Sequence, residues 1–288
     1  MIRRPRRPVI AHILHSLGVG GAEILAKALA DDLADQWDFA FFCLDEPGSL
    51  ADQLARDHAV VECFRRRPGR DWSLAARLRQ AIDRYHVQLI HAHQYTPFFY
   101  AALSRRAAAS PPILLTEHGR HYPDTSSLKR KLFNRIALRR HDRITAVGHF
   151  IKQALISHEA LAADRIQVVH NGCPPRNRPA AQMRPGFREQ LNIEAGQPLI
   201  IQVARFHPGK DHRTGIEAFA HVLKQRPDAR LVLVGDGRLL QDCKARCDAL
   251  QLSPAVRFTG VRDDVPHLLA AADLFMLSSL SEGISVTL

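Results

Sequence analysis

At 288 residues and 46% hydrophobic composition, the chain can build two domains with substantial cores. No apolar run reaches the roughly 18 residues of a membrane-spanning helix. The five cysteines, an odd number without dense spacing, exclude a disulfide framework and fit a reducing cytoplasm. A formal charge of +11, from 40 Lys and Arg against 29 Asp and Glu, favours an anionic partner without choosing among nucleic acid, acidic membrane and phosphorylated ligand.

The start, MIRRPRRPVIAHILHSLG, has the basic head of a signal peptide. His12 and His15 break its apolar stretch, however, and no small-residue cleavage site follows. It reads as a cationic tail (1–7) feeding a first strand. Strand-like runs follow at 8–14, 39–44, 59–64, 87–93, 112–118, 143–147 and 166–171, with helical patterns between them. Leu25, Leu29 and Leu33 share one helical face, as do Leu74, Leu78 and Ile82. Strands apolar on both faces belong to a parallel sheet covered by helices, so residues 8–173 read as a Rossmann-like α/β domain. The proline-rich stretch 174–187 reads as a linker. Alternation then restarts over 188–288, with strands at 198–204, 229–237, 256–260 and 273–279. Two such domains facing one another would form a cleft lined by the carboxyl ends of their strands, where ligands of α/β folds bind.

Polar residues concentrate at those strand ends. After the first strand, HSLGVGGAE places Gly20 and Gly21 at a helix start, either a plain tight turn or a loop admitting an anion to backbone N–H groups. QVARFHPGKDH puts Arg205 at a strand end and Lys210 at a helix start, either solvated cations or a fork and a point charge for a diphosphate. The glycine-containing ends of LVLVGDG (Gly235) and VRFTGV (Gly260, Val261) leave room for a base or ribose. Glu282 in SLSEGIS is either an exposed turn carboxylate or an acceptor for sugar hydroxyls, with following N–H groups donating. Cys243 and Cys247 share a helix face but lack further ligands for a metal, so they read as structural.

The ordered series HSLGVGGAE, IHAHQ, TEHG, TAVGHFIK, VVHNG, VARFHPGKD, LVLVGDG and VRFTGVRDDVPHLLAAADLFMLSSLSEG resembles family 4 retaining glycosyltransferases of the GT-B fold. The resemblance implies transfer of a sugar from a nucleotide-diphosphate sugar to an acceptor hydroxyl of a glycan or lipid-linked glycan, with no cofactor and no metal. It implies that Arg205 and Lys210 hold the diphosphate and stabilise its growing charge. Glu282 with the N–H groups of Gly283, Ile284 and Ser285 would hold the sugar, His118 would contact it near the reacting carbon, and Gly20 and Gly21 would approach the phosphates. It implies no separate general base: the leaving phosphate oxygen would take the acceptor's proton. The sequence departs from the pattern at Ala204, Asp211 and Ser285, where the family has glycine, glycine and proline. The second glutamate of its Glu-x7-Glu motif would fall past Leu288, so the second domain is expected to be incomplete and donor binding and turnover weak.

Three rival readings compete with this one. His91 and His93 on one strand face, with His118 and His121 after another, could serve a metal hydrolase, but no Asp or Glu joins them in a ligand pattern. RRPRRP and FRRRPGRDW raise nucleic-acid binding, yet no binding module or aromatic interleaving accompanies them, so no nucleic-acid partner is expected. A nucleotide-sugar epimerase shares the fold but would need carboxylates placed for proton abstraction. Finally, residues 127–144 put Leu128, Leu132, Phe133 and Ile136 on one helical face with six cations around it. That suits either a core-packed helix or one lying on anionic lipid, which would make the enzyme cytoplasmic and peripheral on the inner face of the cell membrane.

Overall fold

Runs of β-branched and aromatic residues, apolar on both faces, form the strands of two all-parallel sheets, as such residues do when helices cover both sides. The structure is a computed structural model and describes residues 7–57, 59–106, 110–120, 124–172 and 184–285. The contacts divide them into two units: residues 7–172 with 283–285, and residues 184–282.

The first unit runs β1 (Val9–Leu14), α1 (Gly21–Asp32), β2 (Asp38–Cys43), α2 (Ala51–Arg56), β3 (Val60–Cys63), α3 (Trp72–Arg84), β4 (Val87–His93), α4 (Tyr95–Leu103), β5 (Ile113–Glu117), α5 (Leu128–Ala137), β6 (Arg143–Ala146), α6 (His149–Glu159) and β7 (Ile166–Val168). Its strands lie in the order β3-β2-β1-β4-β5-β6-β7. The chain therefore winds outward one way from β1, then returns and continues the other way from β4. That reversal opens a crevice at the carboxyl ends of β1 and β4, where doubly wound folds bind ligands. On α3, Leu74, Leu78 and Ile82 are buried as their spacing predicts, and Asp71 caps the helix by accepting from the Leu74 N–H at 3.2 Å. On α1 the core face lies one residue on from the leucine stripe. Ala26 and Ala30 are buried while Leu29 is 37% exposed, because small residues let the helix sit close to the sheet.

The second unit runs α7 (Arg184–Gln190), β8 (Leu199–Val203), α8 (His212–Gln225), β9 (Arg230–Val234), α9 (Leu240–Ala249), β10 (Val256–Gly260), α10 (Val265–Ala271) and β11 (Leu274–Phe275), with the sheet ordered β10-β9-β8-β11. Counted from β8, this repeats the arrangement around β1, so the reversal falls between β8 and β11. The last four residues of the expected linker begin α7, and 174–183 lie outside the described residues. Cys243 and Cys247 are buried in the core beneath α9, as the structural reading requires.

Candidate active site

In the second unit the reversal between β8 and β11 brings together three of the residues singled out from sequence, Arg205, Lys210 and Glu282. Arg205, exposed, follows β8; its carbonyl accepts from His207 N–H at 2.7 Å, and His207 C=O accepts from Lys210 N–H at 2.9 Å. This short turn fixes Arg205 and Lys210 relative to one another. Asp211 then adopts φ 42°, in the left-handed region, and caps α8 by accepting from Thr214 N–H at 3.3 Å. Where the resemblance implies glycine, this chain has a residue whose carboxylate becomes the helix cap, and Asp is among the residues that tolerate this conformation. The Lys210 ammonium donates to Glu282 Oε1 at 2.5 Å, with both side chains partly exposed (31% and 24%). Residues 72 positions apart thus meet as an ion pair at the expected donor site.

Four further residues hold this arrangement and carried no signal in sequence. Ser278 donates to the carbonyl of Asp211 (2.8 Å) and accepts from buried Gln202 Nε2 (3.1 Å). Leu280 N–H donates to Gly209 C=O at 2.9 Å, which seats the segment leading to Glu282 on the Lys210 turn. Gly215 faces them from α8; a Cβ there would lie 2.9 Å from Gln202 Oε1 and 3.2 Å from Ser278 Oγ. A pattern of long-range contacts such as this leaves only single small or polar residues in the sequence, which read as ordinary.

The structure gives Gly235 a packing role. Its φ is +136°, and a Cβ would come 2.2 Å from Ala204 C=O, so only glycine lets the loop after β9 pass the backbone that carries Arg205. Gly235 N–H also donates to Gly260 C=O at 2.8 Å, and Val261 beyond it is 56% exposed. Gly283, Ile284 and Ser285 belong by their contacts to the first unit. Asn171 Nδ2 donates to Ile284 C=O at 3.1 Å, and a Cβ at Gly283 would meet His118 C=O at 2.1 Å. His118 and Gly283 therefore lie backbone to backbone within that unit.

In the first unit, Gly20 and Gly21 open α1 directly after the β1 loop, and Gly20 C=O accepts from Ile24 N–H at 3.0 Å. Across the same reversal, Gln94 ends β4 with φ 73° and ψ 174°, a region that essentially only glycine visits. Strain of this kind collects at ligand clamps and switch regions, and although Gln94 ends the IHAHQ run, nothing in the sequence announced its backbone conformation.

Beside it lies a row of imidazoles. His12 on β1, His93 on β4 and His118 after β5 are hydrogen-bonded in series, with 2.9 Å from His12 Nδ1 to His93 Nε2 and 2.8 Å from His93 Nδ1 to His118 Nε2. His91, stacked 4.1 Å from His93, bonds Thr116 Oγ1 at 2.8 Å. Burial pushes all four imidazoles down, His12 and His93 well below the usual value, His91 to about 3 and His118 to about 4. Neighbouring imidazoles add to the effect on His12, His91 and His93. Next to His118, Glu117 is buried and rises to about 7, burial outweighing the attraction of Arg120.

His12, His91 and His93 offer ligand atoms within 4.8 Å of one another. Yet the facing nitrogens of His12 and His93, 2.9 Å apart, bond each other and sit closer than the roughly 3.3 Å edge of a tetrahedron with zinc–nitrogen bonds of about 2.0 Å. The geometry suits a hydrogen-bonded chain better than a metal site. His121 lies outside the described residues.

The basic helix α5 divides its apolar residues. Phe133 packs inward, 4.7 Å from the Phe99 ring, and Asn134 Nδ2 donates to Glu159 C=O at 3.0 Å. Leu128, Leu132 and Ile136 turn outward, 84%, 62% and 75% exposed. Of the cations, Arg130 is taken up by Glu159 and the Tyr95 ring, whereas Lys129, Arg135 and Arg140 are exposed. An open cavity of about 540 Å³ beside the helix is lined by Lys131, Arg135, Leu132 and Leu138 among others. Among the described residues, no helix is long and apolar enough to cross a membrane.

Two parallel sheets with the same winding, each with candidate ligand residues at its reversal, are the two Rossmann-like domains of a GT-B fold. Residues 19–177 match Glycosyltransferase Family 4 and residues 183–288 match Glycosyl transferases group 1. The chain belongs to Glycosyltransferase Family 4, as the sequence motifs led us to expect. It is 25% identical over 268 residues, 88% of its length and 68% of the relative's, to the UDP-Gal:alpha-D-GlcNAc-diphosphoundecaprenol alpha-1,3-galactosyltransferase of Escherichia coli. It is also 25% identical over 292 residues, covering 97% of its own length and 75% of the relative's, to the putative glycosyltransferase EpsF of Bacillus subtilis. Its fold matches Anabaena Alr3699/HepE, solved in complex with UDP and glucose, with a TM-score of 0.74 at 24% identity, over 94% of this chain and 74% of that one.

Proposed function

We propose that this glycosyltransferase moves a sugar, with retained anomeric configuration, from a nucleotide-diphosphate sugar to a hydroxyl of a glycan or lipid-linked glycan. The observation that carries the reading is the Lys210–Glu282 ion pair at the β8/β11 reversal, with Arg205 on the same turn. A donor has both a diphosphate and a polyhydroxyl sugar. The ammonium would exchange its carboxylate partner for the diphosphate, and the released carboxylate would accept hydrogen bonds from sugar hydroxyls. As the glycosidic bond breaks, negative charge grows on the leaving diphosphate, where a fixed ammonium and guanidinium stabilise it most. The leaving oxygen would take the acceptor's proton on the same face. The E. coli relative is named for a UDP-sugar donor and a diphosphoundecaprenol acceptor, and HepE was solved with UDP, so uridine donors are the first to try. With a panel of nucleotide sugars in EDTA, we expect release of free nucleoside diphosphate that depends on added acceptor. Acceptor-independent conversion of the donor sugar would favour an epimerase instead and overturn the reading.

A peripheral membrane contact is supported by a separate observation, the outward Leu128, Leu132 and Ile136 flanked by exposed cations. Apolar insertion and attraction of each cation to anionic lipid, about 1 kcal/mol apiece near the surface, would act together. Flotation should carry the protein with vesicles containing phosphatidylglycerol and leave it behind with pure phosphatidylcholine. Leu132→Glu should abolish co-flotation; unchanged flotation of that variant would rule out α5 as the contact.

A further inference from the structure

The row of imidazoles in the first unit has a direction, and that direction bears on what His118 can do. A neutral imidazole carries one N–H, so each of the two bonds in the His12–His93–His118 series needs one donor and one bare nitrogen. Only two arrangements satisfy both bonds. In one, His12 Nδ1–H donates to His93 Nε2 and His93 Nδ1–H donates to His118 Nε2, which leaves the proton of His118 on Nδ1. In the other every proton sits on the opposite nitrogen, and His12 must carry an N–H on Nε2.

The far end decides between them. His12 is fully buried, its ring stacked 5.5 and 5.1 Å from Phe39 and Phe41, and its Nε2 has no hydrogen-bond partner among the described residues. An unpaired N–H in such surroundings is rarer and costlier than an unpaired lone pair, so the bare nitrogen belongs at that end. At the other end His118 Nδ1 also has no partner among the described residues, but His118 is partly exposed where His12 is not, so an N–H costs less there. There a ligand group could meet it. The neighbouring His91 does not compete, because its Nε2 is bonded to Thr116 Oγ1, itself 2.7 Å from Thr145 Oγ1. The lowered imidazole pKa values keep the series neutral near pH 7, as the scheme requires.

We propose that His12 and His93 are positioning residues that fix His118 as the Nδ1–H tautomer, so that it offers a hydrogen-bond donor to its ligand. If His118 contacts the donor sugar, a point that rests on the proposed function, the group it meets is an acceptor: a hydroxyl or ring oxygen.

Two-bond proton–nitrogen correlation on histidine-labelled, ligand-free protein reads the tautomer directly. We expect His118 to show a protonated Nδ1 and a bare Nε2. His12→Phe keeps a ring between Phe39 and Phe41 and removes the first donor. It should turn His118 into a mixture of tautomers and weaken donor binding about three- to tenfold, the worth of one neutral hydrogen bond. A wild-type His118 protonated on Nε2, or an unchanged His118 signal in His12→Phe, would overturn the proposal. If His12→Phe fails to fold, the wild-type spectrum alone decides. The spectrum involves no donor: an Nδ1–H His118 whose loss leaves donor affinity unchanged would fault the sugar contact, not the imidazole chain.

Discussion

Lys210→Met is expected to slow acceptor-dependent release of nucleoside diphosphate by about 100- to 1000-fold, the usual cost of removing one preorganised group that meets charge growing in the transition state. The fold should tolerate the change. The lysine stem is only partly buried, methionine keeps its length, and the turn is held by backbone bonds and by Ser278 rather than by the ammonium. Glu282 loses its partner but, 24% exposed, can be solvated. Glu282→Gln should behave differently. It removes a negative charge from beside the expected diphosphate, so affinity for the free nucleoside diphosphate should hold or improve. Affinity for the sugar-bearing donor should fall, because an amide accepts hydroxyl bonds less strongly than a carboxylate. Calorimetry with both ligands on both variants separates a phosphate role from a sugar role. Equal losses in Lys210→Met and Glu282→Gln would mean that the ion pair only shapes the turn.

The second large effect is on stability in acid. His12, His91, His93 and His118 are neutral in the fold and lowered, whereas unfolded histidines take up a proton near pH 6.5. Below that pH the unfolded state binds more protons, so stability falls as pH falls, by up to about 1.4 kcal/mol per pH unit for each group. Glu117 works the other way. Raised to about 7, it holds a proton in the fold that the unfolded chain releases above about 4.5, so its contribution grows as pH falls from 7 to 4.5. Four groups against one leave a net uptake approaching three protons on unfolding near pH 5. The urea midpoint should therefore drop steeply from pH 7 to pH 5, well before surface carboxylates titrate. Glu117→Gln should steepen the drop and His91→Asn should soften it. A flat midpoint over this range would mean that the imidazoles are already protonated in the fold.

Much of this was legible in the sequence because local composition reports local structure. Strands that are buried on both faces read as continuous apolar runs, and β4 spans Val87–His93 as its run predicts. Helix α3 shows its core face in its leucines. Where burial relied on small residues, as with Ala26 and Ala30, the larger leucines beside them drew attention to the wrong face. The run 273–279 pairs only at Leu274–Phe275, because Ser278 turns to hold the Lys210 turn instead of continuing the ladder. For α5, hydropathy could count apolar residues but not say that Phe133 turns in while Leu128, Leu132 and Ile136 turn out.

The candidate site was half legible. Arg205, Lys210 and Glu282 stood out by type and position at strand ends, but the ion pair joining two of them needed the β8–β11 pairing, which no local pattern encodes. The same holds for the imidazoles. His12 was visible only as a polar break in an apolar run, and its place in the chain depends on β1 lying beside β4 and β4 beside β5. Gln202, Ser278 and Gly215 were silent because each matters through partners distant in sequence.

The central claim is that the turn after β8 holds a nucleotide's diphosphate. Titration of UDP into the protein in EDTA tests it most directly. One saturable site per chain, lost or weakened at least tenfold in Lys210→Met, is the predicted result. No binding by wild type to UDP or any other nucleoside diphosphate, or binding that Lys210→Met leaves untouched, would contradict it.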